Sequence, residues 1–246
     1  MLRLVRSLKF PYSEGLFETF PLRNGRMERF ALHWRRLKAS CRALRYPLLA
    51  DPNDIERAIL EISRSEGAEN KAVRLIYSKK EIPIFLLQLL PLPKPFTNVE
   101  LIHLKTKIHP LAGHKISDRH HYEALYEKAT AEKAFDAILV SDDDEVLETT
   151  RTNIFVISKG TLCTPAADGR ILPGIIRNEV IRIAGELGIP CMEKKMPLHD
   201  MASADEIFIT NSLRGVVPVV EIRGIWMQSS APMLTPKIAE LLSKID

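Results

Sequence analysis

Pro91-Leu92-Pro93-Lys94-Pro95 divides this chain more sharply than any other segment. Each proline lacks an N–H and holds the residue before it in an extended conformation, so the stretch fits neither a helix interior nor a central strand. We read residues 93–97 as a linker between a small N-terminal α/β domain at 1–92 and a larger domain at 98–246. The 246 residues allow one large domain or two small ones, and a hydrophobic share of 46% lets each side bury a core.

Hydrophobic periodicity orders the rest. Before the prolines, residues 16–22 predict a strand, Asn24-Gly25 a hairpin turn, 29–44 and 54–65 two helices, and 72–90 a pair of strands. After them come a strand at 99–104, a helix from about 118 to 133, a strand at 137–141 and an acidic turn at Asp142-Asp143-Asp144. Strands at 146–148, 154–157 and 162–164 follow, the last entered through Lys159-Gly160. A helix at 176–187 carries the stripe Val180, Ile181, Ala184 and Leu187 and stops at Gly188. Strands at 206–210 and 216–222 lead to a short last helix. Strands in runs with separate helices predict an α+β fold with a barrel-like second domain, not a doubly wound sheet.

Charge narrows the partners. The net charge is +4, but 31 acidic residues are interspersed with 35 basic ones and aromatic residues make up only 7%, which favours an anionic small molecule over nucleic acid. The densest basic run, Arg35, Arg36, Lys38, Arg42 and Arg45, shares a helix with Phe30, Trp34, Leu37, Cys41 and Leu44 at helical spacing, so it reads as the solvated side of an amphipathic helix. Cys41, Cys163 and Cys191 are odd in number and far apart, which predicts no disulfide framework and a reducing, cytoplasmic setting. Charges break the apolar residues at the start of the chain, and no apolar run is long enough to span a bilayer, so no membrane association is expected. The histidines between His103 and His121 show no ligand spacing with a carboxylate, and no metal is expected.

Three kinds of chemistry recur along the chain. Gly174-Ile175-Ile176 lies at a predicted helix start, where unpaired N–H groups and the helix dipole favour an anion. Asn211-Ser212-Leu213 follows a strand and offers a hydroxyl and further N–H donors. Lys115, in a turn between a strand region and a helix, is a candidate nucleophilic amine with His114 and Arg119 beside it. Glu148 ends a strand after a polar turn, and Arg36 flanks the buried stripe of its helix with a planar fork suited to phosphate. Taken singly, each also admits a plain structural role: a loop-to-helix junction, a common serine turn, a solvated lysine or arginine, an edge-strand glutamate.

Together they carry a resemblance. Gly15-Leu16-Phe17-Glu18-Thr19, His33-Trp34-Arg35-Arg36-Leu37, Arg74, the Lys115 segment, Glu148 to Phe155, Thr164-Pro165, Leu172 to Arg177 and Thr210 to Pro218 occur in that order. In this the chain resembles the class IV aminotransferases, the two-domain fold-type IV pyridoxal phosphate enzymes. The resemblance implies pyridoxal 5'-phosphate as cofactor, with Lys115 as the Schiff-base and proton-transferring residue and Glu148 on the pyridine nitrogen. It places Arg36 on the phosphate, with Ile175, Ile176, Ser212 and Leu213 in two phosphate turns and Gly174 and Asn153 within the cofactor motifs. It also implies a homodimer. Arg74, Lys107 and Arg214 are candidates for substrate carboxylates.

Three departures stand out. Ile176 replaces a threonine common in the family, His120 stands where branched-chain enzymes have tyrosine, and Asn211-Ser212-Leu213 replaces their Gly-Thr-Ala turn. The Thr210 to Gly215 turn and His114-Lys115 with Arg119 and Tyr122 look most like the lyase branch, which converts 4-amino-4-deoxychorismate to 4-aminobenzoate and pyruvate for folate synthesis. An aminotransferase of D- or branched-chain amino acids is the alternative. A non-catalytic protein that keeps the fold is a third, and the presence of both Lys115 and Glu148 argues against it.

Overall fold

The computed structural model describes residues 4–6, 15–79 and 84–245. These form two compact units. The first comprises the described residues up to Lys94 together with His114–Arg119, and the second comprises Pro95–Gly113 with His120–Ile245.

In the first unit, β1 (Leu4–Arg6), β2 (Gly15–Arg23), β3 (Arg26–Met27), α1 (Phe30–Ala43), α2 (Pro52–Ser65), β4 (Lys71–Ser78) and β5 (Ile84–Leu90) follow in order. The sheet runs β1-β5-β4-β2-β3, antiparallel except for the β1–β5 pair. Asn24 and Gly25 turn β2 into β3 with φ of 50° and 73°, the pair of positive angles that matches the twist of a two-residue hairpin. Asp51 caps α2 through Asn53 N at 2.8 Å, and Pro52 occupies the first helical position, where its missing N–H costs nothing. The stripe predicted on α1 is buried at Phe30, Trp34, Leu37 and Cys41. Phe30 meets Phe20 of β2 at 5.5 Å between ring centroids, and Trp34 meets Phe85 of β5 at 6.0 Å. The basic residues Arg35, Lys38 and Arg42 face solvent. The turn expected between β4 and β5, at 80–83, lies outside the described residues.

The second unit contains β6 (Val99–Lys105), α3 (His120–Ala131), β7 (Asp136–Val140), β8 (Val146–Thr149), β9 (Asn153–Ser158), β10 (Thr161–Pro165), α4 (Ile175–Glu186) and β11 (Cys191–Lys194). After a 3-10 turn (Leu198–Ser203) come β12 (Glu206–Asn211), β13 (Gly215–Ile222), β14 (Trp226–Met227) and α5 (Leu234–Lys244). The sheet order is β11-β10-β9-β12-β13-β6-β7-β8, with β14 on β13. Residues from β6, β7, β8, β9, β10, β12 and β13 meet in one cluster around Leu101, Ile138, Val146, Ile154, Cys163, Ile207 and Val219, so the sheet curls around its own inner face. Alternation sends Phe155, Ile157 and Phe208 to the other face, where they pack on Ile176, Val180 and Ala184 of α4 and Ile238 of α5. Phe155 and Phe208 stack with centroids 4.9 Å apart.

The α+β expectation holds, with a small sheet and a curled mixed sheet in separate units. The sequence reading contained no strand at β11, because Cys-Met-Glu-Lys has no clean alternation and lies at a sheet edge, where exposure removes the pattern. Glu206 shows how a buried carboxylate organises a distant element. It accepts from the N–H groups of Met233, Leu234 and Thr235 at 2.8, 2.9 and 2.8 Å and so caps α5 across the chain. Among the described residues, no helix is long and apolar enough to cross a membrane.

Candidate functional site

Lys115 belongs to a segment that docks on β2. Phe17 N donates to Lys115 O at 2.9 Å, Ser117 N donates to Gly15 O at 2.9 Å, and Leu16 and Ile116 form an antiparallel bridge. Gly15 is required mainly by the close approach of β4, since a Cβ there would fall 2.4 Å from Tyr77 O, with Ser117 Oγ of the docked segment 3.3 Å away. His114 Nδ1 lies 3.0 Å from Ser40 Oγ on α1. These contacts draw His114–Arg119 into the first unit although the segment follows the prolines. Three cations then surround one ring: Lys115 Nζ lies 4.6 Å from the Phe17 centroid, and the guanidinium carbons of Arg74 and Arg119 lie 5.8 and 5.9 Å from it. Such a cluster attracts anions.

Arg36 sits on the flank of α1 and places its fork on Glu18 of β2, Nε to Oε1 at 2.9 Å and Nη2 to Oε2 at 2.6 Å. His33, one helical turn before Arg36, puts Nδ1 2.6 Å from the same Oε2. Burial alone would raise the Glu18 pKa, but the Arg36 charge and the His33 contact overcome it and hold the carboxyl at about 2, against 4.5. Burial pushes His33 down from 6.5, against the raising effect of Glu18. Both shifts act in one direction. A carboxyl with a lowered folded pKa contributes stability above its unfolded pKa and loses it as the pH falls through the folded value; a histidine held neutral also opposes folding once acid protonates it in the unfolded chain. Unfolding free energy should therefore be flat above about pH 6.5 and decline from there toward pH 2, with the lost contribution of Glu18 accounting for on the order of 3 kcal/mol of the decline below pH 4.5. Urea titrations of the protein and of Glu18→Gln across pH 7 to 3 measure this: the variant should be less stable at neutrality and shallower in acid, and parallel curves would exclude Glu18 as the source.

Glu148 is the penultimate residue of β8 and is buried, at 8% exposure. Its Oε2 accepts from Asn153 Nδ2 and from Leu172 N, each at 3.2 Å, and the same Asn153 Nδ2 reaches Leu172 O at 2.9 Å. Asn153 also presses on the start of α4: a Cβ on Gly174 would lie 2.0 Å from Asn153 Oδ1. One amide therefore ties the carboxylate to the turn that opens α4. That helix begins at Gly174 with no side-chain cap, and the first N–H to bond back to Gly174 O is that of Asn178, so its first turn presents donors. Arg177, 2% exposed, fastens this end to the sheet through Pro165 O and Glu193 Oε2, both at 2.7 Å.

The loop after Glu148 rests on Asp136, which sequence reasoning missed. Its Oδ1 accepts from Thr150 Oγ1 at 2.7 Å, Thr150 N at 3.3 Å and Ala137 N at 2.7 Å, while Oδ2 accepts from Thr149 Oγ1 at 2.8 Å. Burial pushes this carboxyl up in spite of those bonds. The signal lay in Thr149-Thr150-Arg151-Thr152, a run of hydroxyls that needs an acceptor when buried. Glu18 was missed as the partner of Arg36 because it lies on another element, and His33, although one turn away on the same helix, because nothing local marks the carboxylate the two share.

The second turn has its own acceptor. Asn211 Oδ1 takes the N–H groups of Leu213 at 3.1 Å and Arg214 at 2.9 Å, and Gly215 closes the turn at φ 68°. Ser212 lies in this turn, at the end of β12. Arg214 stacks its guanidinium over Phe96 at 4.7 Å and Phe135 at 5.5 Å. Lys107 is exposed on the rim of a recess that Glu148, Thr106, His121 and Tyr122 also line. The structure thus gathers Lys115, Arg36 and Arg74 in the first unit. It gathers Glu148, Asn153 and Gly174 by direct contact in the second, which also holds Ile175, Ile176, Ser212, Leu213, Lys107 and Arg214.

A family model, amino-transferase class IV, matches residues 15–222. A Methanocaldococcus jannaschii protein described provisionally as a branched-chain-amino-acid aminotransferase is 28% identical over 87% of this chain and 80% of its own length. The aminodeoxychorismate lyase of Bacillus subtilis is 24% identical over 96% of this chain and 86% of its own. A Legionella pneumophila structure described provisionally as a 4-amino-4-deoxychorismate lyase superposes with a TM-score of 0.89 at 23% identity, covering 99% of this chain and 98% of that one.

Proposed function

We propose, because this chain belongs to the class IV aminotransferase family, that it is a pyridoxal-phosphate-dependent lyase that converts 4-amino-4-deoxychorismate to 4-aminobenzoate and pyruvate, and that it works as a cytoplasmic homodimer in folate synthesis. The observation that carries the cofactor reading is the Glu148–Asn153–Gly174 contact, which couples a buried carboxylate to an uncapped helix start. The donor set fits the group: a carboxylate for a protonated ring nitrogen, N–H donors for a phosphate, and a lysine amine for an aldehyde. When bound, pyridoxal phosphate supplies an electron sink for charge released at the carbon that bears the substrate amine.

Each residue then has a task. Glu148 holds a proton on the ring nitrogen, and Asn153 fixes the carboxylate's direction. The first turn of α4 and the Ser212–Leu213 turn bind phosphate, with Arg36 as its cationic ligand. Lys115 Nζ takes the proton from the amine-bearing ring carbon. The neighbouring C–O bond breaks, the ring becomes aromatic, and Lys115 returns the proton to the methylene carbon of the departing enolpyruvyl group, giving pyruvate. Arg74, Lys107 and Arg214 are candidates for the substrate's carboxylates.

The lyase reading is supported by the Asn211–Gly215 turn and by the Bacillus subtilis lyase, which matches this chain almost end to end. The higher identity of the Methanocaldococcus jannaschii relative favours the second reading, an aminotransferase of branched-chain or D-amino acids. The two differ in what they need. A lyase leaves its cofactor in the aldehyde form, so purified protein should release pyruvate and 4-aminobenzoate in equal amounts from aminodeoxychorismate with no keto acid added. Inertness toward that substrate, with rapid transamination of D-alanine or a branched-chain amino acid, would replace the first reading by the second.

A further inference from the structure

We propose that Thr210 is a further ligand of the cofactor phosphate, its hydroxyl donating to the anion held at the first turn of α4. The inference rests on the pyridoxal phosphate reading above and does not depend on which reaction follows.

Thr210 is 2% exposed, and its Oγ1 is buried without a hydrogen-bond partner. Native structures rarely leave a buried hydroxyl unpaired, because folding strips it of water and returns nothing. Where such a group persists, something outside the chain is the natural acceptor.

Its position says which. Thr210 pairs directly with Asn153 across β12 and β9. Alternation along β12 places it on the face of Phe208, and the same face of β9 carries Asn153 and Phe155, against the packing side of α4. Directly opposed residues have Cβ atoms about 5 Å apart, and Asn153 itself abuts Gly174, the residue from which α4 starts. The orphan hydroxyl therefore lies one side chain away from a helix start that has no side-chain cap. Glu206, on the same face at the other end of β12, caps α5. The turn beyond Thr210 contributes fewer donors than its length suggests, since Asn211 Oδ1 already takes the N–H groups of Leu213 and Arg214. A hydroxyl at 210 supplies what those two groups direct elsewhere.

The test separates phosphate from the rest of the cofactor. Apoprotein is titrated spectroscopically with pyridoxal phosphate and, separately, with pyridoxal, which lacks the phosphate. Thr210→Val should weaken pyridoxal phosphate by roughly 10-fold or more, the scale of one hydrogen bond to a charged acceptor, and leave pyridoxal within about twofold. Thr210→Ser, which restores the donor, should stay within about threefold of the parent for both. The Thr210→Val apoprotein should melt no lower than the parent, because the change removes an unsatisfied hydroxyl and conserves volume; if it melts lower, Thr210→Ala supplies the same ligand comparison. Equal weakening of both ligands, or no weakening of pyridoxal phosphate, overturns the proposal. Failure of the unsubstituted protein to bind pyridoxal phosphate would sink the cofactor reading and this inference with it. Tight binding without lyase activity would sink only the reaction.

Discussion

Lys115→Ala is expected to lower turnover by about 10⁴-fold, the upper range for loss of a positioned proton-transfer group, and to leave the fold intact. The segment is anchored through its backbone, by Phe17 N on Lys115 O and Ser117 N on Gly15 O, so the side chain can be removed without undocking it. What disappears is the amine beside Phe17, which in our reading both carries the cofactor and moves the proton. Borohydride reduction followed by peptide mass mapping should place the pyridoxyl group on Lys115 in the parent and nowhere in the variant. A pyridoxyl adduct on Lys105, Lys107 or Lys128 would assign the role to another amine.

Glu148→Gln should cost on the order of 10²-fold or more in turnover, because a charge-assisted contact contributes about 1.5–3 kcal/mol and the carbon-acid step depends on it. The amide has nearly the same shape, and its oxygen can still accept from Asn153 Nδ2 and Leu172 N, so the network behind the cofactor should survive. Retained cofactor with depressed turnover is the expected pair of results. Unchanged turnover with full cofactor content would mean that another group keeps the ring nitrogen protonated.

These residues differ in how far the chain itself announces them. Lys115, Glu148 and Gly174 stand in ordered motifs, and each sits beside a local element whose type follows from periodicity: a turn before α3, the end of β8, the start of α4. Asn24-Gly25 and Lys159-Gly160 mark hairpins for a similarly local reason, since both residues of each pair adopt positive φ, which Asn and Gly tolerate and which at Lys159 is carried by the glycine beside it. The apolar stripe of α1 likewise shows which side of that helix is inside. Such features need no knowledge of what lies across the fold.

Partner choice is another matter. Arg36 carries a fork that would suit any carboxylate, and the chain holds 31 acidic residues; only the packing of α1 on β2 selects Glu18 and adds His33 behind it. Asp136 serves Thr149 and Thr150 because β7 and β8 pair in one register, and Thr210 lies opposite Asn153 because β12 pairs with β9 in another. His114–Arg119 follows the proline break yet joins the first unit, since its backbone pairs with β2 through Phe17 N on Lys115 O and Ser117 N on Gly15 O. The sequence by itself determined the periods, the turns and the chemical groups, all set by interactions within a few residues. The tertiary structure alone decided which buried charge meets which partner and which hydroxyls are left without one, because those outcomes depend on contacts between strands and helices far apart in the chain, where many chemically equivalent partners compete and burial selects one.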